Sequence, residues 1–445
     1  MFKKILIANR GEIALRVLRA CRELGIETVV VYSQADADSL AVKFADEAVC
    51  IGAASSAESY LNIPRIVSAA EIANVDAVHP GYGFLAESPA FAEVLASCNL
   101  TLIGPTAETM RIMGDKALAR ETMRAAGVPV IPGSPGPVSE VRIACSVADE
   151  IGYPVLIKAV AGGGGRGMRV VHGEADMERA FSAAHREAES AFGDGRLYLE
   201  HYIDHPRHIE FQVAGDGVQC VHFGERECSI QRRHQKLIEE SPSTAVTPGL
   251  RDEMGAVAVR GALAVDYLGL GTMEFLLDSA GSYFFIEMNT RIQVEHPVTE
   301  LVCDIDLVKL QIRLAAGDRL PLSKNDVHLR GHALECRINA EDPDNSFAPC
   351  PGVIGAFHQP GGPGIRIDTH LYAGYTVSPN YDSLLAKVIA YGTDREEARV
   401  RMVRTLEEMV IEGVKTTIPF HLRVLADERF RSGSLHTGFI DGMVV

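Results

Sequence analysis

Apolar and polar positions along the chain switch between two periods, and the switches lay out its elements. Residues 3–8 form a short apolar run that suits a buried strand, 11–24 repeat apolar residues at helical spacing until Gly25, and 27–32 are apolar and β-branched again. This β-α-β opening, continued by apolar runs at 75–79 and 101–103, predicts an amino-terminal α/β domain with a parallel sheet, closing near Gly114. Helical spacing at 116–126 stops at Gly127, and Gly133-Ser134-Pro135-Gly136-Pro137 marks a hinge or domain boundary. A strand at 153–158 leads into the glycines 162–165, and strand character resumes at 169–172. Two strands joined by a glycine loop predict a mobile lid that closes over phosphates. A mixed α/β body follows from about Tyr202. Strands at 333–338 and 384–391 and an amphipathic helix at 395–411 predict a carboxy-terminal part that begins near His332.

Chemistry concentrates where the apolar run 283–286 gives way to Glu287-Met288-Asn289-Thr290-Arg291-Ile292-Gln293-Val294-Glu295-His296-Pro297. If the extended conformation continues, a period of two puts Glu287, Asn289, Arg291, Gln293 and Glu295 on one face, where they need a ligand or metal to satisfy them. The apolar run 272–277 precedes a turn signal at Asp278-Ser279-Ala280-Gly281-Ser282, so the two runs form a hairpin. A symmetric register then sets Glu274 against Glu287. Two facing carboxylates repel unless a cation lies between them or one takes a proton. Magnesium suits such a pair, because it binds through one or two carboxylates and completes its shell with phosphate oxygens and water, and Asn289 supplies a further oxygen.

The four glycines followed by Arg166-Gly167 leave backbone amides free to face an anion, but no Lys-Ser or Lys-Thr follows at Walker spacing. A flexible linker is the competing reading; Lys158, at the end of the preceding strand, favours phosphate. Arg232-Arg233-His234-Gln235-Lys236 is a compact basic run, a form that solvated surfaces also adopt. The opening β-α-β unit invites a dinucleotide site with Asp36 or Asp38 on the ribose, yet Asn9-Arg10-Gly11-Glu12 lacks the three-glycine fingerprint.

Composition narrows the field. The chain has 445 residues, enough for two to four domains, with 47% hydrophobic and 23% charged residues. A net charge of −16 without long basic blocks argues against nucleic-acid and anionic-membrane roles. No long apolar span or signal-peptide pattern occurs, so a cytoplasmic protein is expected. The nine cysteines include no Cys-x-x-Cys pair and read mostly as small buried hydrophobes; Cys228, among charged residues, is the one whose role stays open.

Taken in order, the segment from Glu287 to Pro297, His79-Pro80-Gly81-Tyr82-Gly83-Phe84-Leu85 and Gly162-Gly163-Gly164-Gly165-Arg166-Gly167-Met168 resemble the signatures of biotin carboxylases, within the ATP-grasp superfamily. The match runs from Lys3 to about residue 432. It implies an α/β and α+β multidomain architecture: a Rossmann-like domain at 1–114, an ATP-grasp domain at 115–322 with its lid at about 131–203, and a carboxy-terminal domain at 323–445. By resemblance, Lys116, Lys158 and the glycines Gly163, Gly164 and Gly165 contact ATP phosphates, and Glu200, His201, Tyr202 and Ile203 hold the adenine. His201 stands where lysine is common, a change that backbone hydrogen bonding tolerates. His208, Gln231 and His234 fall near the ribose and phosphates, with Glu274 and Glu287 beside the nucleotide. Glu274, Glu287 and Asn289 hold magnesium or manganese.

The resemblance further implies that Lys236, Arg291, Gln293 and the backbone of Val294 hold bicarbonate. Glu295 is its general base, with an ion pair to Arg291 as the structural alternative. Arg337 stabilises the biotin enolate, Glu335 being an alternative structural partner, and Tyr82 shapes the biotin pocket. No Ala-Met-Lys-Met motif occurs. The expected substrate is therefore biotin on a separate carboxyl carrier protein, with carboxyltransferase subunits completing the complex and the chain itself a homodimer. Acetyl-CoA is the simplest final acceptor; propionyl-CoA, pyruvate and 2-oxoglutarate stay open. The alternatives are a carboxylate–amine ligase and a catalytically silent nucleotide-binding protein. Residues 435–445 depart from the lysine-rich ending of the family.

Overall fold

The amino-terminal sheet is parallel throughout. It comprises β1 (Lys4–Ile7), β2 (Glu27–Ser33), β3 (Glu47–Gly52), β4 (Ala77–His79) and β5 (Thr101–Leu102), in the order β3-β2-β1-β4-β5. A sheet covered on both faces needs apolar residues on both, which is why Ile5, Leu6 and Ile7 form an unbroken run and are all fully buried. One face packs under α1 (Gly11–Glu23), through Ile13, Leu15 and Val17; the other holds Tyr60, Ile66 and Phe91. The loop after β4 carries Tyr82 at the carboxyl ends of the strands, where open α/β sheets place ligands. The computed structural model describes residues 1–160, 168–323 and 326–443, so the glycine run at 162–167 lies outside the described residues.

A second, antiparallel unit contains β6 (Val155–Ala159), β7 (Arg169–Val171) and β8 (Leu197–His201), in the order β7-β6-β8. Helices Val141–Ile151 and Glu174–Phe192 cover it, and it has a core of its own around Val155, Ile157, Leu197 and Leu199.

The body is one eight-stranded antiparallel sheet. From one edge it runs through β13 (Tyr283–Asn289), β12 (Leu268–Leu277), β9 (Arg207–Asp216), β10 (Cys220–Arg232), β11 (Gln235–Ser241) and β14 (His332–Asn339) to the strands Leu384–Gly392 and Ile365–Thr369. The pairing of β11 with β14, Ile238 opposite Cys336 and Ser241 opposite Ala333, carries the sheet across the position where a separate carboxy-terminal part is expected to begin. That pairing covers what would otherwise be an exposed edge at β11.

The β12–β13 hairpin forms as the turn signal predicts: Asp278 Oδ1 accepts from the amides of Ala280 and Ser282, both at 2.8 Å. Two expected elements end early. The strand at 283 stops at Asn289 instead of continuing to Glu295, and the helix expected over 395–411 spans Arg395–Glu408. Met409 leaves helical geometry, and Val410–Ile411 pairs with Phe357–His358. Leu435, Phe439 and Ile440 pack into the carboxy-terminal core. Among the described residues no helix is long and apolar enough to cross a membrane.

Candidate active site

β9 places His208, Glu210 and Gln212 on one face by its period of two, all buried, while Ile209, Phe211 and Val213 fill the core on the other. Next to them β12 presents Glu274, directly opposite Glu287 of β13, the register expected from the sequence. Lys236, on β11, reaches into this face, and its ammonium meets three carboxylates: Glu210 at 2.5 Å, Glu274 at 2.8 Å and Glu295 at 2.8 Å. Burial alone would lower the lysine's pKa; the three glutamates outweigh it and hold the pKa well above the ordinary value.

The carboxylate of Glu295 is shared. One oxygen accepts from Lys236; the other lies 2.9 Å from an Arg337 Nη, while Arg337 Nε donates to Glu239 at 2.6 Å. Burial would raise Glu295, but Lys236, Arg337 and Arg226 hold it well below the usual carboxylate range. Arg226 is fully buried yet fully used: it donates to Glu210 (2.5 Å), Gln212 (2.8 Å), Thr299 (3.0 Å), Thr272 (3.1 Å) and Gln293 (2.6 Å). A buried guanidinium is tolerated only with such complete pairing. It fixes the Gln293 amide, whose Nε2 donates to Glu274 at 2.7 Å.

His208 links the metal-type carboxylate to the nucleotide-type residues. Its Nε2 lies 2.7 Å from Glu274, and Gln231 Nε2 donates to its Nδ1 at 3.1 Å. Glu287 has no hydrogen-bond partner among the described residues. Its carboxyl is raised by burial and by the neighbouring Glu274, and lowered by Lys116, which starts the helix Lys116–Ala125. Two glutamates face to face, one of them unpaired, fit a hard divalent cation. Asn289 is already engaged: Nδ2 donates to Glu274 at 2.7 Å and Oδ1 accepts from Arg291 at 3.0 Å.

Three family models match the chain in succession. They are the biotin carboxylase N-terminal domain over residues 1–110, the ATP-binding domain of the carbamoyl-phosphate synthase L chain over 115–323, and the biotin carboxylase C-terminal domain over 335–442. A biotin carboxylase of Nostoc sp. is 55% identical over 443 residues, covering 99% of this chain and 99% of the relative. The chain belongs to the biotin carboxylase family. One of the two kinds of pyruvate carboxylase polypeptide in Methanothermobacter thermautotrophicus is 54% identical, covering 99% of this chain and 90% of that one. The biotin carboxylase domain dimer of Hydrogenobacter thermophilus 2-oxoglutarate carboxylase, solved with MgADP, ADP and bicarbonate, has a TM-score of 0.90 at 50% identity; the match covers 99% of this chain and 97% of that one. The fold is accordingly that of an ATP-grasp biotin carboxylase, and the chain is a ligase of that family.

Within this biotin carboxylase fold, the structure brings Lys236, Gln293, Glu295, Arg337, Glu274, His208 and Gln231 into one buried network. Arg291 stands apart from Glu295: the chain turns after Asn289, so Arg291 donates to Glu87 at 2.9 Å and to Asn289. The expected Arg291–Glu295 pair is replaced by Lys236 and Arg337. Likewise Arg337 pairs with Glu239 and Glu295, and neither oxygen of Glu335 has a partner among the described residues. Lys158 and Arg120 both bind Glu200, and the amides of His201 and Tyr202 donate to Pro132 and Pro154. Ile203 is buried beside them. His234, exposed, and Arg233 form the β10–β11 turn with φ of 65° and 49°. Tyr82 donates to Glu12 and, with Arg10, Phe84, Tyr381 and Asp382, lines a cavity of about 300 Å³.

Asp36 is no ribose acid: Arg10 and Tyr60 saturate it. Burial pushes the Cys228 thiol well up, which keeps it protonated and unreactive. The sequence reading missed Glu87, Glu210, Arg226, Glu239 and Lys387. The alternation His208-Ile209-Glu210-Phe211-Gln212 carried the signal for Glu210.

Proposed function

We propose that the chain uses ATP and bicarbonate to carboxylate biotin on a separate carrier protein. The carrying observation is the Lys236–Glu295–Arg337 cluster. It presents two cations and a base side by side beneath the Glu274–Glu287 pair. Lys236, Arg291, Gln293 and the Val294 backbone would bind bicarbonate, whose charge competes with Glu295 for Lys236. Losing that partner raises the basicity of Glu295, so the anion it must deprotonate also releases it as general base. Glu274, Glu287 and Asn289 would hold magnesium or manganese, which neutralises phosphate charge. Lys116, Lys158 and the segment 163–165 would face the phosphates, with Glu200 to Ile203 at the adenine and His208, Gln231 and His234 at the ribose and phosphates. Arg337 would hold the biotin enolate, and Tyr82 would border the ring.

ADP release measured with and without bicarbonate and free biotin tests this reading. Turnover that requires both supports it; ATP binding without biotin-dependent turnover overturns it.

For the parent complex we infer acetyl-CoA carboxylase, a cytoplasmic assembly in which this chain is a homodimer working with a biotin carboxyl carrier protein and carboxyltransferase subunits. Relatives named biotin carboxylase match end to end. The pyruvate carboxylase relative, at nearly equal identity, favours pyruvate as the second reading. Labelled bicarbonate, followed into malonyl-CoA or oxaloacetate after reconstitution with partner subunits, separates the two.

A further inference from the structure

Lys387 sits in the apolar strand Leu384–Gly392 and is completely buried. It lies directly opposite Arg337 on β14. Its ammonium donates to the carbonyl of Val294 at 2.9 Å, 3.1 Å from Glu12 and 3.8 Å from Asp368. Asp368 is already committed to Arg366 through two bonds of 3.0 and 2.7 Å. Glu12 is thus the counter-ion proper, and it also accepts from Tyr82. A buried ammonium is costly to desolvate, and a well-packed apolar residue serves stability at least as well. What distinguishes this site is the backbone carbonyl it holds.

That carbonyl is one of two tied back in succession. His296, fully buried, bonds the Gln293 carbonyl through Nδ1 at 2.7 Å; Lys387 takes the next one. In a trans peptide the N–H points opposite to its carbonyl. Anchoring the Gln293 carbonyl therefore turns the Val294 N–H away from His296, and anchoring the Val294 carbonyl fixes the peptide from which the Glu295 side chain departs. The cross-strand pair divides the work: Arg337 grips the Glu295 carboxylate, and Lys387 grips the backbone just before it.

We propose that Lys387, held by Glu12, is a positioning residue for the anion-binding turn, fixing the Val294–Glu295 peptide so that the Val294 N–H and the Glu295 carboxylate converge on one bicarbonate. The inference rests on the carboxylase reading above and extends it to a residue that touches no reacting atom. It also ties the Tyr82 loop to the turn through Glu12.

The test compares Lys387→Met, Glu12→Gln and the double variant E12Q/K387M by biotin-dependent ADP release and thermal melting. The double variant removes both charges, so it keeps the fold where the single lysine variant leaves Glu12 unpaired. The Michaelis constant for bicarbonate is expected to rise roughly tenfold or more in E12Q/K387M, because small misplacements of a binding group are costly, with that for ATP within about twofold of the parent. Glu12→Gln shifts bicarbonate in the same direction by less. A folded variant lacking Lys387 with unchanged bicarbonate dependence overturns the role, as does an unchanged Glu12→Gln enzyme. Absence of bicarbonate- and biotin-dependent turnover in the parent chain would instead overturn the carboxylase reading itself.

Discussion

The three hydrogens of the Lys236 ammonium go to three different glutamates, so every buried charge in the cluster is balanced through it. Glu295 is the member without a structural substitute for its proposed task. Glu295→Gln keeps a hydrogen-bonding side chain of the same size but removes the base. Biotin-dependent ADP release is expected to fall about 10²–10⁴-fold while nucleotide affinity, read by equilibrium titration, stays unchanged. A second buried carboxylate bears on stability. Burial opposes ionisation of Glu240, but His332 and Arg395 outweigh it and bring it to about 2. A depressed carboxylate stabilises the fold above its unfolded value of about 4.3 and loses that contribution as pH falls toward the folded value. Between pH 6 and pH 3 the parent should lose about 1 kcal/mol more stability than Glu240→Gln, as read from denaturant midpoints. Equal losses would mean that the pair contributes nothing.

The β10–β11 turn shows how an element serves a site at local cost. A two-residue hairpin with both positions left-handed favours Asn-Gly, yet here it holds Arg233 and His234. Arg233→Gly should raise stability by about 0.5–1 kcal/mol in thermal melting and leave turnover intact, because glycine relieves the backbone at an exposed position. His234→Gly relieves the same strain but weakens ATP binding if the histidine faces the nucleotide; unchanged ATP affinity there would remove it from the site. Strand periodicity made much of this readable. The Glu274–Glu287 register followed from a turn closed by Asp278, and the parallel strands followed from unbroken apolar runs. Arg291 was misplaced because periodicity cannot say where a strand stops, and this one stops at Asn289. Glu239 and Arg226 find their partners across strands far apart in sequence. Lys387, a lone lysine inside an apolar run, was legible as an anomaly, but its partner Val294 was not.

At the scale of the molecule, the unit built on β6, β7 and β8 stands out because its core, centred on Val155, Ile157, Leu197 and Leu199, is its own. Its ties to the body are few and specific: backbone bonds from His201 to Pro132 and from Tyr202 to Pro154, and the Glu200 carboxylate joined by Lys158 from within the unit and Arg120 from outside it. A unit with an independent core opens without disturbing the eight-stranded sheet, whose β11–β14 pairing makes the body cooperative from Arg207 to Gly392. Hydrogen exchange on the full chain should show strands Val155–Ala159 and Leu197–His201 exchanging faster than β9 to β12. Saturating ATP should slow the first group selectively, since nucleotide phosphates would bridge Lys158 to Lys116 on the body. Arg120→Ala removes the outer half of the Glu200 link. It should raise exchange in the unit without ATP and leave the body unchanged. Uniform exchange across both, insensitive to ATP, would show that the unit is fixed to the body and would remove the lid from the mechanism.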